Sequence, residues 1–224
     1  EATICGTVED GIRQAIEAGS PVAAFGSLYL AGEIRTKFPH ACKQVQRKQC
    51  LKARKALSPE ERAAKSEAIT RRILESEIYQ NARTILAYRA FGAEVDLDPL
   101  IEAARRDGKR VCLPCCLNST TMAAMVPGSY RSGAFGIREP DPETSETVPP
   151  DQIDLILCPC AGFDDACRRL GMGAGYYDRY LPGCKNAFVA AAAFEAQRLS
   201  EVCTDRFDRT LDAVFTESNF ELHQ

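Results

Sequence analysis

Histidine is scarce in this sequence of 224 residues: only His40 and His223 occur, near opposite ends and at no metal-ligand spacing. A histidine-based zinc motif is thereby excluded. Neither sign of charge dominates, since 28 Lys and Arg face 31 Asp and Glu for a net charge of −3. That balance excludes a general nucleic-acid binder, which would carry a basic surplus. Long apolar runs are missing too. The longest, Ala187 to Phe194, falls far short of the roughly 20 residues that a membrane-spanning helix requires. No signal peptide is read at the N-terminus. The expectation is a cytoplasmic protein with no nucleic-acid and no membrane partner. An initiator methionine is also lacking, so the chain reads as processed or as a piece of something longer.

Cysteine, in contrast, is plentiful at eleven residues. Cys112-Leu-Pro-Cys115-Cys116 contains a CxxC, a candidate redox or zinc element. Zinc would want a second such pair, and none is present. The expectation is buried or surface thiols in a reducing compartment. The apolar share of 45% and charged share of 26% are those of an ordinary globular chain. The length suits one sizeable domain, alone or with an appendage.

Along the chain, Val8 to Ala18 reads as a helix, Pro21 to Phe25 as a strand, and Leu28 to Phe38 as a second helix, with a break at Pro39. Ala41 to Ala56 is a basic helix. Ser58-Pro59-Glu60-Glu61 is a strong helix start, with Ser58 as cap and Glu61 closing a capping box, and that helix runs to about Ser76. Strands are expected at Thr84–Tyr88, Val111–Leu113, Thr121–Val126, Asp154–Cys158, Ala187–Ala193 and Ala213–Thr216. A helix starts at Asp98-Pro99 and ends at Gly108, and another begins at Tyr176. Ser132 to Pro150 reads as a loop. Strands alternating with helices, several of them apolar throughout, imply an α/β fold with a mostly parallel sheet covered on both faces. Ligands in such sheets sit at the carboxyl ends of the strands.

The most informative segment is Gly162 to Leu181, GFDDACRRLGMGAGYYDRYL. Gly171, Gly173 and Gly175 let backbone N–H groups approach an oxyanion closely. The helix that follows adds a positive dipole end. Arg169 can grip a phosphate through two parallel hydrogen bonds. Asp178 is a hard oxygen ligand suited to Mg²⁺.

This segment resembles the 5-formyltetrahydrofolate cyclo-ligase (methenyltetrahydrofolate synthetase) family, in Phe163-Asp164, Arg169-Leu170-Gly171 and Gly175-Tyr176-Tyr177-Asp178. The likeness continues in order from about Lys43 to Glu217. It includes Lys43 and Arg47, Leu57-Ser58-Pro59-Glu60, Glu94-Val95-Asp96, Phe135-Gly136-Ile137-Arg138-Glu139-Pro140, Gln197, and Asp208 to Asp212. The resemblance implies a Rossmann-like cyclo-ligase domain over residues 39–224. It also implies reaction of ATP with 5-formyltetrahydrofolate to give 5,10-methenyltetrahydrofolate, ADP and phosphate. The formyl oxygen would attack the γ-phosphoryl group, N10 would close on the imino-phosphate, and phosphate would leave. The protein's part in that chemistry is positioning and charge neutralisation.

Roles follow from the same resemblance. Lys43, Arg47 and Arg169 would be the catalytic cations on the ATP phosphates. The stretch Arg169, Leu170, Gly171, Met172, Gly173, Ala174, Gly175, Tyr176 and Tyr177 would cradle the nucleotide. Arg89, Glu94, Met172 and Tyr176 would bind the folate, with Glu94 accepting hydrogen bonds from pterin nitrogens. Asp178 and Asp208 would hold Mg²⁺. Phe91, Met125 and Phe135 could pack on the pterin. The bland alternative for Lys43 and Arg47 is one solvated basic face shared with Lys48, Lys52, Arg54 and Lys55. Arg169→Ala is expected to cost activity and to leave the fold intact.

Departures from the family pattern are Gln46, Cys160, Cys167, Met172 and Ala174. Ala174 is expected to crowd a backbone that needs positive φ. These changes motivate a second hypothesis, a non-catalytic folate- or nucleotide-binding homologue, and the cysteines motivate a third, a thiol-redox or metal protein. Residues 1–38, through Gly26 to Arg35, resemble the C-terminal tail of folylpolyglutamate synthase. The chain is therefore expected to be part of a fused folate-metabolism polypeptide or to carry an unrelated extension.

Overall fold

The computed structural model describes residues 7–17, 39–133 and 136–223. Helix α1 (Val8–Glu17) matches the first expected helix to within a residue. The strand at Pro21–Phe25, the helix at Leu28–Phe38 and the side chain of Phe135 lie outside the described residues. Helix α2 (Pro39–Ala56) begins at the proline expected to break the chain. Proline is tolerated there because the first turn of a helix leaves its N–H groups unused anyway. Helix α3 (Pro59–Glu75) carries the capping box read from the sequence. Glu61 N–H donates to Ser58 Oγ at 3.1 Å, and Ser58 N–H to Glu61 Oε2 at 2.7 Å.

A short α4 (Glu77–Asn81) precedes β1 (Thr84–Leu86). Then come α5 (Asp98–Arg106), β2 (Arg110–Cys116), β3 (Met122–Val126), β4 (Tyr130–Ser132), β5 (Arg138–Pro140) and β6 (Glu146–Val148). The remaining elements are β7 (Leu155–Cys158), β8 (Gly162–Phe163), β9 (Arg169–Leu170), α6 (Tyr176–Tyr180), β10 (Phe188–Ala192), β11 (Ala213–Phe215) and β12 (Phe220–Leu222).

The main sheet has eight strands in the order β12-β11-β10-β7-β1-β2-β3-β6. The central pairs β11–β10, β10–β7, β7–β1 and β1–β2 are parallel, and β12, β3 and β6 add antiparallel edges. The segment read as a loop, 132–150, therefore contributes β5 and an edge strand, β6. Neither carries the apolar alternation that would have announced it.

Successive side chains of each central strand enter opposite cores. Leu155 and Leu157 of β7 face a core formed with Ile69, Ile73, Leu100 and Ile101 from α3 and α5. Ile156 and Cys158 face the opposite core, which includes Tyr177 and Leu181. A sheet buried on both faces explains why β7 and β10 are apolar throughout. Helix α2 instead packs Cys50 against Ala161, Leu170, Leu199 and Val202. It thus covers the loops at the strand ends, where ligands bind in such sheets. No helix among the described residues is long and apolar enough to cross a membrane.

The cysteines depart from the expectation in one respect. Cys42 of α2 and Cys203 form a disulfide, with Cα atoms 6.1 Å apart, a span that such a bridge accommodates. The CxxC is not a redox pair. Cys112 and Cys115 lie three apart on β2, so they point to opposite faces and fall in separate cores. Burial pushes the Cys112 thiol up to about 12.

Candidate active site

A cavity of about 650 Å³ opens at the carboxyl ends of β1, β2 and β7. Its walls include Tyr88, Glu94, Met122, Arg169, Tyr176 and Asp178. An adjoining groove of about 540 Å³ shares Arg89, Phe91, Glu94 and Arg138 with it.

The glycine-rich wall is built from β7 onward. Strands β8 and β9 form a two-stranded hairpin in which Phe163 pairs with Arg169. Asp164, fully buried at its turn, accepts from the Ala166, Arg168 and Val202 amides and from Arg168 Nε. This carboxylate fixes the turn and so aims Arg169. Arg169 is itself buried. It donates from Nη2 to Asp178 Oδ1 at 2.6 Å and from Nη1 to Pro159 O at 3.3 Å, while its Nε has no partner.

Gly173 and Gly175 adopt φ of 112° and 69°, and a Cβ at Gly173 would lie 3.6 Å from the Arg47 guanidinium. Arg47 Nε also donates to Gly171 O at 2.8 Å, so α2 and the loop meet here. Ala174 does not need positive φ. Among described non-glycine residues it is Cys167 that does, at 56°. The strain expected at Ala174 therefore sits at Cys167, where the resembled family usually has glycine. Helix α6 is only five residues long. It has little dipole to offer an anion, so the cradle consists of backbone amides and arginines.

Lys43 is not part of a solvated face. It is buried, donating to Asp205 Oδ2 at 2.8 Å and also to Asp208 Oδ2. Burial lowers its pKa most, but the two aspartates outweigh it and hold the ammonium above its ordinary value. Burial alone lowers the pKa of Arg47.

On the opposite wall, Glu94 Oε2 accepts from the Phe91 N–H at 2.9 Å. Burial pushes its carboxyl above the ordinary value, and the Phe91 amide and Arg54 oppose the shift. Arg89 Nη1 donates to Asp98 Oδ2 at 3.1 Å and stacks over Tyr130. Tyr176 Oη donates to Asn118 O at 2.9 Å, and Tyr177 lies under Arg169. Met172 is exposed at the cavity rim, whereas Met125 packs with Cys115 and Ala123 instead of lining the cavity.

The two carboxylates expected to hold a metal are paired with different cations, Asp178 with Arg169 and Asp208 with Lys43. Among the described residues no cluster of three or more His, Cys, Asp or Glu side chains could hold a metal. Asp178 alone fits a Mg²⁺ ion that keeps several waters and shares phosphate oxygens. The unpartnered Arg169 Nε and the positive-φ Gly173 turn beside the Arg47 guanidinium fit an anionic phosphate.

Three participants escaped the sequence reading: Asp205 as a partner of Lys43, Asp164 as the hairpin's anchor, and Arg54. The helical spacing 43–47–54 could have signalled Arg54, which was grouped with the exposed lysines.

A mostly parallel α/β sheet with an arginine- and glycine-lined cavity at its strand ends defines a class, the α/β proteins that bind small molecules at that edge. The chain belongs to the 5-formyltetrahydrofolate cyclo-ligase family, whose model matches residues 39–217. It is similar to the 5-formyltetrahydrofolate cyclo-ligase of Escherichia coli (strain K12), 28% identical over 177 residues, covering 74% of this chain and 94% of the relative. The mouse (Mus musculus) enzyme of the same name is 29% identical over 185 residues, covering 74% and 88%. Among solved structures, the 5,10-methenyltetrahydrofolate synthetase of Aquifex aeolicus superposes with a TM-score of 0.73 at 31% identity, covering 81% of this chain and 93% of that one. The Mycoplasma pneumoniae synthetase superposes with a TM-score of 0.64 at 28% identity, covering 78% and 98%.

Proposed function

We propose that this chain converts 5-formyltetrahydrofolate to 5,10-methenyltetrahydrofolate with ATP and Mg²⁺. The observation that carries the reading is the shared cavity. Glu94, suited to a pterin's amino-pyrimidine edge, and the Arg169–Asp178 pair, suited to Mg²⁺ and phosphate, line the same space. Bound Mg²⁺-ATP supplies the phosphoryl group that makes the formyl oxygen a leaving group. Arg169, Arg47 and the Gly171–Gly175 amides hold the phosphates and neutralise their charge. Glu94 and Tyr176 orient the reduced folate, with Arg89 beside them. Lys43, locked between Asp205 and Asp208, aligns α2 against the loop.

The test is ATP- and Mg²⁺-dependent appearance of methenyltetrahydrofolate absorbance. Turnover is expected in the native chain, and Arg169→Ala should reduce it by roughly a hundredfold or more. Folate binding without turnover would instead support the non-catalytic homologue. The burial of Arg169 changes one expectation: its truncation should also lower stability, by roughly 2 kcal/mol, because Asp178 loses its partner. Residues 1–38 are proposed as an appendage resembling the folylpolyglutamate synthase tail, and the location is proposed to be cytoplasmic. The upstream genomic sequence tests the first and cell fractionation the second.

A further inference from the structure

Helix α2 turns four residues inward on one stripe: Lys43, Arg47, Cys50 and Arg54, at i, i+4, i+7 and i+11. Lys48, Lys52 and Lys55 are exposed on the other side. Lys43 is held by Asp205 and Asp208, and Arg47 donates to Gly171 O of the glycine-rich loop. Arg54, 4% exposed, faces Glu94. Its Nη1 donates to Cys160 O at 3.3 Å and lies 3.8 Å from Glu94 Oε1. The side chains of this ion pair are 5% and 8% exposed. Glu94 thus spends one oxygen on the Phe91 amide and turns the other toward Arg54, while still lining the cavity.

A buried carboxylate without a cation protonates or moves to water, because desolvation costs it several kcal/mol. Around Glu94 stand Arg54 from α2, Tyr88 beyond β1, Cys160 beyond β7 and Tyr177 from α6. Burial raises Tyr88 and Tyr177 well above their ordinary values and Cys160 to about 12, so all three are neutral near pH 7. Arg54 supplies the compensating charge.

We propose that Arg54 is a positioning residue for the folate half of the site, anchoring the Glu94 carboxylate at the cavity wall as a hydrogen-bond acceptor. This rests on the reading of Glu94 as the pterin acceptor. Helix α2 then serves both substrates, with Lys43 and Arg47 at its N-terminal half for the nucleotide and Arg54 at its C-terminal half for the folate.

The experiment is a double-mutant cycle of Arg54→Met and Glu94→Gln, with Arg54→Lys as the conservative variant. KM for each substrate and the pH profile of kcat/KM for 5-formyltetrahydrofolate are the readouts. Arg54→Met should raise the folate KM about tenfold and leave the ATP KM within about twofold. It should also move the acid-side midpoint of the folate profile upward, because Glu94 loses the charge opposing its protonation. Arg54→Lys should recover part of both effects. The double variant should match Glu94→Gln alone, since Arg54 acts through Glu94. If Glu94→Gln raises the folate KM while Arg54→Met and Arg54→Lys leave KM and profile unchanged, the role of Arg54 is overturned and that of Glu94 stands. If Glu94→Gln itself changes nothing, the Glu94 reading falls and the inference with it. Equal losses on both substrates with no midpoint shift would reduce Arg54 to a structural bond to Cys160. Should Arg54→Met fail to fold, the Arg54→Lys profile and the Glu94→Gln result decide by the same criteria.

Discussion

Cys167 holds a left-handed backbone conformation, φ 56°, with its side chain fully buried. A Cβ in that region costs about 1 kcal/mol. The turn keeps it because Cys167 N–H donates to Asp164 O at 3.0 Å and the thiol fills the second core. Cys167→Gly relieves the strain and deletes a buried group worth roughly 1–2 kcal/mol. The two nearly cancel, so the expected change is within about 1 kcal/mol. Cys167→Val, whose branched Cβ resists this conformation, should cost more than about 2 kcal/mol. Urea unfolding of both variants measures the difference, and a Val variant as stable as the Gly variant would contradict it. The glycine-rich loop therefore carries its strain at Cys167, before the glycines.

The decisive element is α2. Its pairing of Lys43 with Asp205 and Asp208 ties the helix to the segment after β10. The hydrogen bond from Lys43 holds the Asp205 carboxyl below its ordinary value, while Lys43 itself is raised. A depressed carboxylate contributes stability above its unfolded pKa and loses it as pH falls through the lower folded value. A raised ammonium contributes below its unfolded pKa and loses it as pH climbs through the higher folded value. The pair is thus intact across the neutral range. Lys43→Met should cost roughly 2 kcal/mol at pH 7, leaving two acidic side chains facing each other. The deficit should shrink as pH falls below the ordinary carboxylate range, where the lowered Asp205 carboxyl takes up its proton. Denaturant melts at pH 7 and in that acid range check this, and a deficit independent of pH would reject it.

Across the whole molecule, the Cys42–Cys203 disulfide spans 161 residues of sequence. It joins the start of α2 to the loop that supplies Asp205 and Asp208. Closing so long a loop removes unfolded-state entropy worth roughly 2–5 kcal/mol in the chain-entropy picture. Cys42→Ser should therefore lower Tm by about 5–15 °C without reductant. With dithiothreitol, native and variant chains should melt together. A variant that melts with the native chain under both conditions would show that the bridge adds no stability in solution.

Much of the architecture was legible in order along the chain. Apolar β7 and β10, the Ser58 capping box and the Gly171–Gly175 turn are local patterns, and each leaves its mark within a few residues. The same holds for Arg169, Tyr176, Tyr177 and Asp178, four site residues inside one short segment. The edge strand β6 left no such mark, because an edge needs no alternation of apolar side chains to form. What only the tertiary structure decided is who faces whom. Arg54 meets Glu94 across 40 positions of sequence, and Lys43 meets Asp205 across 162. Charges at that separation carry no periodicity to read, and their roles appear only when the loops at the strand ends fold under α2. The sequence by itself determined the central strands, the glycine-rich turn and the family. Burial, which makes a lone charge costly and a paired one possible, determined which of the basic residues on α2 turn toward the loops at the strand ends.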